Sequence, residues 1–155
     1  MQTLASIQSF IATQLVNNAE FTTLCVDTIG SKLNFYTDSS ILRADEVMPF
    51  LVVHKFNKAY EIDKEPEWIV QMLIGIESEE KYIESGGIRY YQSTSSVETI
   101  ADKAIEIIKC DLAAVGVEGN KKLFIQNYNV LITEIGEADD IQAIVTIRLQ
   151  STLYI

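Results

Sequence analysis

His54 is the single histidine of the chain, so any Ser-His-Asp or Cys-His arrangement, and any histidine-based metal site, has to be built on it. It stands in the run Phe50-Leu51-Val52-Val53-His54-Lys55-Phe56. A histidine inside such a strand, without a placed nucleophile and an orienting group, reads as a structural or surface residue and not as a base. Cys25 is the nucleophile that could be paired with it. Cys25 and Cys110 lack CxxC spacing and ligand-rich neighbours, however, and both read as buried, reduced thiols. Glu134, Glu137, Asp139 and Asp140 cluster at a turn and could collect Ca²⁺ or Mg²⁺, but the spaced Asp/Asn and Gly of a calcium loop are missing. The cluster reads as a solvated hairpin tip. Paired carboxylates for glycoside hydrolysis would need stacking aromatics beside a cleft, and nothing in the sequence gathers Trp68 and the tyrosines. Phosphate-loop, dinucleotide, zincin, nucleophile-elbow and EF-hand motifs are all missing, and Gly86-Gly87 reads as a turn. The expectation is a protein that is not an enzyme, with no metal and no cofactor. Trp68, Tyr90 and Tyr91 then stand out as interface anchors, with packing in the domain's own core as the competing reading.

The elements that must carry these residues follow from periodicity. Leu4, Ile7, Ile11 and Leu15 recur at helical spacing, so about Thr3 to Asn18 reads as an amphipathic helix ended by Asn17 and Asn18. Phe21 to Val26 reads as extended, and Asp38-Ser39-Ser40 as a turn. Strands are expected at Phe50–Phe56 and Trp68–Glu77, paired as a hairpin around an acidic loop of Glu61, Asp63, Glu65 and Glu67. A second acidic loop, Glu77, Glu79, Glu80 and Glu84, leads through Gly86-Gly87 to a short strand at Ile88–Gln92. Ser95 with Glu98 has capping-box spacing before a helix whose face is Val97, Ile100, Ala101, Ala104, Ile105, Ile108 and Leu112, stopping at Gly116. Two final strands, Leu123–Ile135 and Ile141–Tyr154, are joined by the turn Gly136 to Asp140. In the last, Ile141, Ala143, Val145, Ile147, Leu149 and Leu153 alternate with polar residues, so one sheet face is buried and the other largely polar. The fold class expected is α+β, a mostly antiparallel sheet with two principal helices packed on one face, in one domain spanning residues 1–155.

Composition narrows the partners. At 155 residues and 48% hydrophobic content the chain is long and apolar enough to bury a core without staples. Twenty-two acidic residues against 12 Lys and Arg give a formal net charge of −10. That disfavours a free-standing nucleic-acid binder, which needs a basic stripe, and binding to an anionic membrane. Met1 to Val16 has no basic start or small-residue cleavage site, so it does not read as a signal peptide, and a reducing cytoplasm is the expected setting.

The order of elements is an N-terminal helix, an irregular segment, two strands around a long acidic loop, a short strand, one strong helix and a long C-terminal hairpin. In that order the chain resembles the tail-terminator and tail-completion proteins of long-tailed bacteriophages. The resemblance is architectural and carries over no functional residue. It implies a homo-oligomeric ring, often a hexamer, that ends the tail tube. The partners it implies are tail-tube and head-tail connector proteins, in a virion assembled in the bacterial cytoplasm. DNA would meet such a ring only by passage through a lumen whose negative charge repels it. Glu61, Asp63, Glu65, Glu67, Trp68, Glu77, Glu79, Glu80, Tyr90 and Tyr91 are the candidate interface or lumen residues. Two alternatives stand beside this: a small-molecule binding module with an apolar cavity between sheet and helices, and a hydrolase built on His54 or a carboxylate cluster.

Overall fold

The computed structural model describes residues 4–37, 48–59, 67–77, 82–114, 116–117, 121–135 and 140–153. The elements in chain order are α1 (Leu4–Asn17), α2 (Ala19–Ile29), β1 (Asn34–Thr37), β2 (Phe50–Ala59), β3 (Glu67–Ile76), β4 (Tyr82–Ser85), β5 (Ile88–Tyr91), α3 (Gln92–Ala114), β6 (Gly116–Val117), β7 (Lys121–Ile135) and β8 (Asp140–Leu153). The large sheet runs β1-β2-β3-β8-β7-β6, and β4 with β5 forms a separate two-stranded hairpin. Every pair in the large sheet is antiparallel except β1 with β2. The expected α+β class holds, with the helices packed against the sheet.

The helical face of the sheet holds the main core. Ile7, Ile11 and Leu15 of α1, Phe21 and Cys25 of α2, and Val97, Ile100, Ala104 and Ile108 of α3 pack on Leu51, Val53, Val70, Met72, Ile74, Val145, Ile147 and Leu149. The i, i+3/i+4 spacing on the helices and the period of two on the strands bring these side chains to one plane. Gln8 is the buried polar residue of α1, and its Nε2 donates to the Val53 carbonyl where the β1 register ends. Lys103 of α3 reaches Glu20 of α2 at 3.2 Å and Glu106 at 3.4 Å, tying the two helices. The hydrogen bond to Glu20, followed by the charge of Glu106, holds its ammonium protonated above the usual lysine range.

Four expectations are corrected. Phe21 to Val26 is helical: Asn18, expected only to end α1, accepts from the Phe21 N–H at 2.9 Å and caps a second helix. The β-branched Thr22, Thr23 and Val26 disfavour helix in isolation, but the cap and the burial of Phe21 and Cys25 on one face outweigh that propensity. α3 begins at Gln92, so Ser95 lies inside it, its carbonyl accepting from Thr99 Oγ1 at 2.8 Å. Gly116 is not a helix cap but part of β6, paired with Lys122. Tyr82–Ser85, expected within an acidic loop, is the first strand of a hairpin turned at Gly86 (φ 60) and Gly87 (φ 80), a conformation that glycine adopts without strain.

Two β-bulges interrupt the sheet. One lies between Lys55 and Asn57 in β2, the other between Ile125 and Asn127 in β7. Through β3 and β8 the register places them within one residue row of each other, since Ile69 pairs with both Asn57 and Arg148, and Arg148 with Asn127. A bulge bends its strand and increases its twist.

Candidate interface

Alternation fixes what the sheet presents on the side away from the helices. Tyr36, Val52, Leu73, Ile144 and Leu131 are register partners from β1 across to β7, so they form one apolar row over the outer face. At the β2–β3 end this row is buried, with Phe50, Val52 and Leu73 packed by Tyr36, Met48 and Ile144. At the β7 end it opens to solvent, where Leu131 is 59% exposed. The neighbouring row is polar: His54, Gln71, Thr146 and Asn129. His54 Nδ1 and Gln142 Oε1, on rows either side of the apolar one, are buried atoms without a hydrogen-bond partner. Such atoms are costly to leave unpaired.

This arrangement removes the cysteine–histidine pair. Cys25 belongs to the helical core, whereas His54 alternates with Val53 onto the outer face, so the sheet lies between them. Burial also pushes the Cys25 thiol up to about 11, which keeps it protonated and poorly nucleophilic at neutral pH. Among the described residues no group of three His, Cys, Asp or Glu side chains is placed to hold a metal ion. Glu134 is exposed at the end of β7, and Glu137 and Asp139 of the same turn lie outside the described residues.

Of the candidate interface residues, the described ones are divided between the large sheet and the β4–β5 hairpin. Trp68 is corrected: at 3% exposure it packs in the helical core and presents nothing to a partner. Its neighbours explain this, because Trp68 shares the inward parity of Val70 and Met72. Glu67 takes the opposite parity and accepts an ion pair from Arg148 Nη1 at 2.8 Å, joining β3 to β8. Glu77 is exposed just beyond β3. Tyr90 is 53% exposed on β5, and Tyr91 pairs with Tyr82 in the same hairpin. Glu61, Asp63, Glu65, Glu79 and Glu80 lie outside the described residues.

Two features went unread in the sequence. The first is the outer edge of β7. On one side β7 pairs with β8 along its length, and on the other β6 covers only Lys121 and Lys122. Among the described residues, Leu123 to Ile135 has no strand beside it, and Phe124, Tyr128 and Leu131 are 41, 47 and 59% exposed. The signal was available: Leu123–Thr133 carries no charged residue in a chain of net charge −10. A long, uncharged, apolar edge is what soluble monomers avoid, because its open N–H and C=O groups template further pairing. The second is the β4–β5 hairpin, in which every described side chain is exposed.

A cleft of about 490 Å³ opens where α2 ends and α3 begins. Thr28, Ser31, Ser93, Ser96, Glu77 and Ile76 are among the residues that line it. Its volume is that of a small polar molecule. No helix among the described residues is long and apolar enough to cross a membrane. No protein-family model matches the chain, and no curated protein matches it in sequence.

Proposed function

We propose that this chain is a non-catalytic structural subunit that assembles with copies of itself into a ring ending or completing a phage tail tube, through protein–protein contacts. The observation that carries the reading is the uncharged, half-exposed β7–β8 surface on an otherwise acidic molecule. Copies of a −10 chain repel one another over most of their surface. Contact is least opposed where acid is missing, and Leu123–Thr133 and Ile141–Ile147 supply such a surface on adjacent strands. The element order gives the assembly its assignment to a tail, by resemblance. In that setting the partners are the tube and connector proteins, the site of action is the virion, and DNA passes through the ring without base recognition.

The test is mass in solution by light scattering after size exclusion, at low and moderate salt, with negative-stain images of large species. A closed ring of several subunits is expected, favoured as salt screens the like charge. A species that stays at 17.4 kDa at every concentration and salt would overturn the ring.

A second reading rests on the cleft lined in part by Glu77, which fits a module binding a small polar ligand. Its signature is a monomer whose melting temperature rises with a small-molecule additive, and loses that rise in Glu77→Gln.

A further inference from the structure

Strands β4 and β5 form a four-pair hairpin, Tyr82↔Tyr91 to Ser85↔Ile88, outside the large sheet. Ile83, Ile88 and Tyr90 share one of its faces, at 57, 55 and 53% exposure, while Glu84 and Arg89 oppose each other on the second, with the Arg89 guanidinium 4.7 Å from the centre of the Tyr82 ring. A lone two-stranded hairpin is marginally stable in water, and one whose apolar face is more than half exposed has its stabilising contact still to make. Among the described residues the molecule therefore carries two incomplete elements, an arm whose strands pair only with each other and whose apolar face is exposed, and the edge of β7 beyond Lys122 with no strand on it.

We infer that the arm of one copy docks on the β7 edge of the next, adding its strands to the neighbour's sheet and bringing Ile83, Ile88 and Tyr90 alongside Phe124 and Leu131, the exposed apolar residues on the outer face of that edge. Charge identifies the partner as a second copy. The arm from Tyr82 to Tyr91 contains one Glu and one Arg, and the β7 edge from Leu123 to Thr133 contains no charge at all, so two neutral surfaces meet on a chain whose remaining surface is strongly acidic. Hydrogen bonding selects the same occupant, since an open strand edge is satisfied only by another extended segment. Pairing of β7 with its own symmetry mate would complete the edge but leave the arm bare, whereas arm on edge completes both. Because arm and edge are different surfaces, the contact is head-to-tail, the kind that builds a ring where the rotation between neighbours closes. The inference rests on the ring reading and gives that ring its joint.

Two variants separate the possibilities. Ile83→Thr with Ile88→Thr keeps β-branched residues in the arm but strips its apolar face. Tyr128→Lys with Leu131→Lys places lysines on the edge, the device by which natural sheets block pairing. All four residues are exposed, so circular dichroism spectra matching the wild type are expected for both. Each variant alone is expected to run as a 17.4 kDa monomer, and their mixture to give a one-to-one pair that grows no further, since one intact arm meets one intact edge. Rings that persist in the arm variant would overturn the joint while leaving the ring reading standing. An arm variant that stops at a two-fold dimer, or a mixture that stays monomeric, would overturn it as well. A monomeric wild type would remove the ring and the joint together.

Discussion

A methyl group added at Gly75 would stand 2.5 Å from Cζ and 2.6 Å from Cε1 of Phe50, its direct cross-strand partner. The ring lies over the glycine and closes the buried end of the outer face, so Gly75→Ala forces it out of a packed position. A loss of about 1–3 kcal/mol is expected in denaturant unfolding. In a Phe50→Ala background the same substitution should cost nearly nothing, and the double-mutant cycle measures the difference. Cys25 makes the second expectation at this scale. Its thiol ought to resist alkylation in the native protein and react on unfolding, read by mass spectrometry of the peptide carrying it. Because the folded thiol ionises only near 11 and the unfolded one near 9.0, the unfolded state releases its proton first, and stability should fall as pH rises from about 9 toward 11. At the residue level the sequence was legible where a side chain's fate depends on local type, as for Cys25, a buried thiol. For Trp68 and Tyr90 it left core packing and interface anchoring side by side, because strand parity and the cover on each face, which the isolated residue does not announce, decide between them.

Elements were legible in proportion to their periodicity. The helix of Val97, Ile100, Ala104 and Ile108 and the strand of Ala143, Val145, Ile147 and Leu149 stand where their spacing puts them, and Lys121–Ile135 and Asp140–Leu153 differ from expectation by two residues or fewer at the ends. α2 was missed because its information is a capping side chain and a contact face of only Phe21 and Cys25, both resolved by tertiary contacts. That account makes a prediction. Asn18→Ala removes the acceptor for the Phe21 N–H and should cost about 1 kcal/mol, with Asn18→Ser or Asn18→Asp restoring most of it in thermal melts. Strand β4 was hidden for a different reason: Tyr82–Ser85 is too short and too exposed to show alternation, and its pairing comes from the turn at Gly86-Gly87.

At the scale of the molecule, the division into a helical face and an open face was foreseeable from β8 alone, because a strand that alternates so regularly needs cover on one side only. What was not foreseeable is the parity change in β7, where Leu123 and Ile125 face the helices before the bulge and Val130 and Ile132 after it. One inserted residue reverses odd and even, so a strict period of two reads half of this strand backwards. The two bulges also have a consequence in time. The inserted residue of a bulge leaves the ladder, so the amides of Phe56 and Gln126 are released from pairing while those of Leu51–Val53, Val70–Ile74 and Val145–Ile147 stay locked in the sheet. Hydrogen–deuterium exchange should therefore find two quick-exchanging sites, one in β2 and one in β7, set among slow strands, and the flanks of those sites are where the sheet would begin to come apart if pulled or warmed.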